Sequence, residues 1–439
     1  MRHTWLSLPH WRRRLLFWSG AVLVGLAAIA FARASSFVYL QFTHLLAFGR
    51  GWPLLLTPAV FALLSWLTAG ALRTTRGSGI PQAIAALQVD DEPFRRRLLS
   101  LRVAAGKIAL TLAALGAGAS VGREGPTVHV GAGLLYSLGR RFGFAEPQAA
   151  SRFILAGGAA GIAAAFNTPL AGVVFAIEEM AGAFEHRMSG VVLTAVIVAG
   201  VVSLGLVGDY AYFGRVASVL TLPQSALAVL LCGAGCGLAG GAFARLILLD
   251  AGRLCTRIAN LRTRWPVAFA AACGLVLALL GLASADSVYG TGYDQARAIL
   301  QGAANAPPDA FGVFKFGANI VSYWAGIPGG IFSPALAVGA GFGHMISTLM
   351  PAAPASAVVL LGMAGYLAGV TQAPLTSAVI SMELTANQGM AIPILAVCLL
   401  ARAMASLLCP VPVYKAFARR LVDDFERDPP PHTPSGKSS

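Results

Sequence analysis

Between Phe316 and Met382 the chain carries no Asp, Glu, Lys or Arg. No water-soluble fold of ordinary composition, roughly a quarter charged, tolerates such a run. Further charge-free stretches cover 15–32, 153–177, 188–208, 216–244 and 266–285. Each is about long enough, or longer, to cross a hydrocarbon layer of roughly 30 Å. Over all 439 residues, 57% are hydrophobic and 11% charged. The expected class is an all-α polytopic membrane protein, because helices satisfy their backbone hydrogen bonds within lipid.

The net charge of +14 would suggest nucleic acid for a soluble protein. Here the positive charge sits in short connections and at the ends, as in Arg12–Arg14, Arg95–Arg97, Arg140–Arg141, Arg253–Arg264 and Lys415–Arg420. The positive-inside rule then places both termini in the cytoplasm, within a multi-pass protein of the inner (plasma) membrane, and no nucleic-acid partner is expected. The first apolar run is long and followed by others, which argues against a cleaved signal peptide. The six cysteines fall mostly in apolar runs. Cys232 and Cys236 lie one helical turn apart without a companion His or acid, so they read as packing residues and no metal site is expected. The tail "RDPPPHTPSGKSS" reads as polar and disordered.

The two halves resemble each other. Gly77–Leu87 ("GSGIPQAIAAL") matches Gly290–Leu300 ("GTGYDQARAIL"), and Ala156–Glu178 matches Leu361–Glu383, including Pro169/Pro374 and Glu178/Glu383. Lys107 and Lys315 hold corresponding places. Several motifs in one order point to a duplicated unit. The joint "VGDYAYFGR" carries one basic residue and reads as extracellular. A first half that starts inside and ends outside makes the repeats inverted, a transporter plan with its site near the midplane. The expected organisation is a cytoplasmic segment 1–14, membrane repeats 15–208 and 216–410, and a helix end with a tail over 411–439.

Three Gly/Pro breaks share a grammar: "GSGIP" with Gly77, Gly79 and Pro81, "GREGPT" with Gly122, Gly125 and Pro126, and "GIPGGIFSP" with Pro328, Gly330 and Pro334. Proline is tolerated where a helix begins, and Ser78 reads as a possible N-cap. Helix N-termini inside a membrane protein present free N–H groups and a positive dipole end to an anion. Packing alone is the alternative use of such glycines.

Acids at mid-membrane cost on the order of 2.5–3.5 kcal/mol on insertion scales and so mark sites or water paths. Glu124 can occupy the anion position itself, and protonation would release it. A salt bridge to Arg123 is the competing reading, although adjacent helical residues do not face each other. Glu178 and Glu179 point about 100° apart on a helix, so one can face inward while the other faces elsewhere. Glu179 is a candidate proton donor from the cytoplasm, or else part of a solvated helix end. Glu178 and Glu383, as repeat mates, read as structural. His129 reads as a buried, hydrogen-bonded side chain.

In this order, "GSGIP", "GREGPTV", "GIPGGIFSP" and Tyr414 in "PVPVYKA" resemble the CLC family of chloride channels and chloride/proton exchangers, over about Arg76 to Tyr414. "AFNTPLAGVVFAIEEM" resembles the family segment that follows the gate. The resemblance implies a homodimer with one anion pathway per subunit, built from two inverted repeats of tilted and broken helices. Carried across, Ser78 and Tyr414 offer hydroxyls, and Ile331 and Phe332 backbone amides, to a bound chloride. Glu124 is then the gate, flanked by Gly122, Arg123, Gly125 and Pro126. Glu179 takes the place of the exchangers' internal proton-transfer glutamate, where many channels are apolar. Proton-coupled chloride exchange follows, with a passive gated chloride channel as the alternative and no cofactor beyond the chloride ions themselves. Ser78 favours chloride over nitrate or fluoride. Gln82 and His129 depart from the usual glutamate and neutral polar residue. The missing CBS domains fit a bacterial relative. An intramembrane hydrolase would need a nucleophile facing His129 or His344, and no such motif accompanies either.

Overall fold

The computed structural model describes residues 8–427 apart from 71, 145, 182–189, 209–210 and 250–251. The expected disordered tail and part of the expected joint therefore lie outside the described residues, as do the side chains of Arg12, Arg13 and Arg253. The first half runs through α1 (Leu8–Phe48), α2 (Pro53–Ala69), α3 (Ile80–Gln88), α4 (Glu92–Leu99), α5 (Leu101–Gly116), α6 (Glu124–Arg141), α7 (Pro147–Phe166), α8 (Pro169–Phe175) and α9 (Gly190–Val207). A π-helical turn, Ala176–Ala181, extends α8. The second half runs through α10 (Leu222–Leu248), α11 (Gly252–Arg264), α12 (Pro266–Ala283), α13 (Tyr293–Gln301), α14 (Phe311–Trp324), α15 (Phe332–Ser347), α16 (Ala355–Thr371), α17 (Pro374–Thr385), α18 (Ala391–Leu408) and α19 (Val413–Arg427).

Among the described residues, six helices are long and apolar enough to cross a membrane, so the protein is multi-pass. The longest charge-free run is not among them. It is divided between the end of α14, the 16-residue α15, the 17-residue α16 and α17. Proline, glycine and left-handed caps such as Gln372 interrupt it, so its helices start and stop within the protein. The opposite difference appears at the N-terminus, where α1 covers 41 residues, reaching back into the expected 1–14 segment and far beyond 15–32. At 1.5 Å per residue it is about 60 Å long and cannot stand upright within the hydrocarbon.

The repeats are visible as matched local chemistry. Lys107 on α5 is fully buried and donates to the Gly77 carbonyl at 2.9 Å. Lys315 on α14, equally buried, donates to the Gly290 carbonyl at 2.7 Å. Each lysine thus fastens the turn that leads into a short helix, α3 or α13. Glycines let the following helices approach backbone to backbone. A Cβ at Gly157 on α7 would overlap the Gly131 carbonyl of α6, and one at Gly362 on α16 would overlap the Gly343 backbone of α15.

The third matched pair is reciprocal. The Glu178 carboxylate accepts from the Leu375 and Thr376 N–H groups at the start of α17, at 3.1 and 2.6 Å. The Glu383 carboxylate accepts from Leu170 and Ala171 at the start of α8, at 3.2 and 2.6 Å. Both helices begin with proline and lack a side-chain N-cap of their own, so each repeat supplies the cap that the other lacks. The structural reading of these two acids holds. Glu178→Gln or Glu383→Gln removes a charged cap and is expected to cost about 1 kcal/mol, read as a melting temperature lowered by a few degrees in detergent. An unchanged melting temperature would show that the caps contribute nothing.

Candidate functional site

Two loops meet at the centre of the molecule. Gly122 N–H donates to the Gly330 carbonyl at 2.7 Å, and Gly330 N–H returns a bond of the same length to Gly122. Directly after them begin α6 at Glu124 and α15 at Phe332, each with proline as its third residue. Pro126 and Pro334 therefore sit in the first turn but not at its first position. A second tie joins the remaining break, because Gly329 N–H donates to the Gly77 carbonyl at 3.2 Å. Three helix starts, those of α3, α6 and α15, are thereby fastened around one point.

Ser78 does not cap α3. Gly79 holds the N-cap position with φ of 102°, a backbone region that L side chains rarely adopt, and a Cβ there would also overlap His129. Relieved of capping, the Ser78 hydroxyl is 1% exposed and has no hydrogen-bond partner among the described residues. A Cβ on Gly125 would overlap that hydroxyl, so Gly125 is what leaves room for it. Pro81 is buried in the first turn of α3.

Tyr414, at the start of α19, is fully buried with its hydroxyl likewise unpartnered among the described residues. Its ring stacks on Phe332, with centroids 6.0 Å apart and planes at 15°. Ile331 is the N-cap of α15 and Phe332 its first residue, so their N–H groups lie among those that a helix leaves without intrahelical acceptors. Two buried hydroxyls and a helix N-terminus converge here without a protein acceptor. Such a set of donors suits a small anion.

Glu124 is fully buried as the first residue of α6. Its Oε1 accepts from the Ser333 hydroxyl at 2.6 Å, while Oε2 lies against Gly122, where a Cβ would overlap it. Oε2 has no hydrogen-bond partner among the described residues. Arg123 does not pair with it. That guanidinium turns away and donates to the Ala32 carbonyl of α1 at 2.7 Å. Ser333 is the residue that the sequence reading missed. Aligning "GREGP" with "GIFSP" finds it, as the repeat mate of Gly125.

Two cavities approach this centre. One of about 470 Å³ reaches Ser78, Pro81 and Gln82 from the side of α4, α11 and α19. The other, about 510 Å³, is lined by Arg123, Tyr212 and Asp294. Glu124 lines neither and is fully buried, while its neighbour Arg123 lines the second cavity and Ser78, in contact with Gly125, lines the first. Glu179 sits apart from it in the π-helical turn, 2% exposed, with Oε2 unpartnered among the described residues. Glu178 and Glu179 thus divide as the helical geometry predicts, one capping α17 and the other buried.

The remaining residues have plain roles. His129 Nε2 pairs with the Leu98 carbonyl at 2.8 Å, as expected of a buried histidine. His344 is one-third exposed and faces Asp309 at 3.3 Å. The Gln82 amide donates to the Arg76 carbonyl at 2.7 Å at the edge of the first cavity. All six cysteines are buried.

The family model for the voltage gated chloride channel matches residues 59–406. The chain belongs to that family. Among relatives, the H(+)/Cl(-) exchange transporter ClcA of Klebsiella pneumoniae subsp. pneumoniae is 31% identical, over 94% of this chain and 90% of the relative. ClcA of Salmonella agona is 31% identical over 92% and 88%. In fold, the chain is similar to a slow cyanobacterial Cl−/H+ antiporter at a TM-score of 0.80, with 23% identity over 95% of this chain and 99% of that one. It is also similar to a CLC-type fluoride/proton antiporter at 0.78, with 23% identity over 94% and 99%. The all-α architecture of two inverted repeats is that of this family.

The Ser333–Glu124 bond generates a prediction for this member. A hydrogen bond to a buried charged group contributes about 1.5 kcal/mol or more, a factor of about ten in occupancy. On the expectation that Glu124 competes with a bound chloride, Ser333→Ala loosens its carboxylate, so chloride affinity measured by calorimetry at fixed pH is expected to rise several-fold. An affinity equal to wild type would remove Ser333 from that competition.

Proposed function

We propose that this chain is a secondary active transporter that exchanges chloride for protons. The observation that carries this reading is the Glu124 carboxylate, buried at a helix N-terminus between two cavities and beside unpartnered hydroxyls. A carboxylate there does what a chloride ion would do, satisfying the N–H groups and dipole of α6. Chloride and the ionised side chain therefore compete. Protonation removes the charge of Glu124 and with it the reason to stay, so the anion site opens when a proton is taken up. Ser78, Tyr414 and the Ile331 and Phe332 amides hold the chloride in this reading, with Gly77, Gly79, Gly122, Gly125 and Gly330 shaping the backbone around it.

Coupling needs a second acid, because an anion path that fills with chloride is a poor route for protons. Glu179, buried off that path and within electrostatic reach of Lys415 and Tyr414, supplies it from the cytoplasmic side. The H(+)/Cl(-) exchange of the ClcA relatives supports the same reading. In this proposal the repeats occupy 15–208 and 216–410, with both termini in the cytoplasm of a cell with this protein in its inner membrane. Every residue of the pathway comes from one chain, so a homodimer would hold two independent pathways. No step calls for bond-making chemistry.

The test uses purified protein in liposomes with a chloride gradient, no pH gradient and a voltage clamped by a potassium ionophore. Proton movement uphill, driven by chloride, is expected for the wild type and is expected to be lost in Glu124→Ala. Glu179→Gln is expected to keep chloride flux while losing most proton movement. Chloride flux without proton movement in the wild type would make the protein a channel and overturn the exchange reading.

A further inference from the structure

The cavity that reaches Ser78 is far larger than a chloride ion needs. Its volume of about 470 Å³ falls within the range of pockets that hold organic ligands. Six arginines line it: Arg73, Arg76, Arg97, Arg262, Arg420 and Arg427. They come from four separate parts of the chain, namely the α2–α3 connection, α4, α11 and α19. Among the described residues, Asp424 is the one acid that lines it. Among the described residues, none of Arg73, Arg76, Arg97, Arg262 and Arg427 joins an ion pair.

Crowding these charges is unfavourable without a counter-ion. Burial, followed by the nearby Arg262 and Arg73, pulls the Arg76 guanidinium down to about 10. Arg76 Nε is buried without a partner among the described residues. Deeper in the same cavity, the Gln82 side chain is 5% exposed with its Oε1 unpartnered, beside the equally unpartnered Ser78 hydroxyl. A funnel for chloride would explain the charge but not the apolar side chains that share the cavity. Phe94, Phe417 and Phe425 line it, and Phe94 and Phe425 pack ring to ring at 4.5 Å. Guanidinium groups recognise phosphate oxygens in pairs, and neighbouring aromatic side chains accept a flat apolar body.

We propose that this vestibule binds a cytoplasmic organic polyphosphate of the nucleotide type, which plugs the inner mouth and slows transport. The phosphates lie among Arg76, Arg262 and Arg427, and the ring lies against Phe417 and Phe425. A bound polyanion neutralises the arginines and bars anions from Ser78, so inhibition depends on charge and weakens as salt rises.

Magnesium-free ATP is the probe. Calorimetry on purified protein is expected to give a Kd on the order of 0.1 mM. Arg262→Gln/Arg427→Gln is expected to weaken binding about tenfold, and inorganic tripolyphosphate, lacking a ring, to bind several-fold more weakly than ATP. In liposomes, ATP on both sides is expected to slow chloride efflux several-fold in the wild type but not in the double variant, each measured against its own rate without ATP. The absence of binding at millimolar ATP, or equal binding by the double variant, would overturn the proposal. So would tripolyphosphate binding as tightly as ATP. Binding is read without transport, so this outcome is independent of whether chloride flux carries protons.

Discussion

Two backbone hydrogen bonds, exchanged between Gly122 and Gly330, are the constraint on which the central site rests. They lock the loop of one repeat to that of the other at the point where α6 and α15 begin. Isolated helix ends in a membrane would repel one another, since each presents the positive end of its dipole. Tied together, they form a common focus that only negative charge relieves. Glu124 supplies that charge from within the chain, and in the proposed exchange a chloride ion takes its place.

The departures from symmetry around this tie give the site its chemistry. Glu124 and Phe332 are repeat mates, each the first residue of its helix, yet one offers a carboxylate and the other an aromatic surface for Tyr414. Gly125 and Ser333 are mates as well. Gly125 leaves space for the Ser78 hydroxyl, while Ser333 fills its place with a donor to Glu124. A duplicated scaffold therefore presents two unlike faces to one central point.

Much of this was legible in the sequence, for identifiable reasons. Charge-free runs reveal apolar surroundings directly, and Gly/Pro breaks mark helix starts because proline cannot donate and glycine alone turns tightly. The Glu178/Glu383 match predicted a structural pair, and the caps bear that out. Distances between separate elements were not legible. Nothing local distinguishes Ser78 as a cap from Ser78 as a free hydroxyl; the left-handed Gly79 next to it decides that. Arg123 likewise found its acceptor on α1, far away in sequence. The helix lengths misled in both directions, because a charge-free run says how far the surroundings are apolar and not where the backbone turns.

The exchanged glutamate caps bear on how such a chain is made. When α8 leaves the ribosome it has no cap, and the residue that will supply one, Glu383, lies 212 positions downstream of Ala171. The first repeat must therefore wait in the bilayer with an unfinished helix end until the second has been inserted. Each half is thus about 1 kcal/mol short of its full stability until the other is in place, a small mutual dependence that favours keeping both copies of an ancestral duplication.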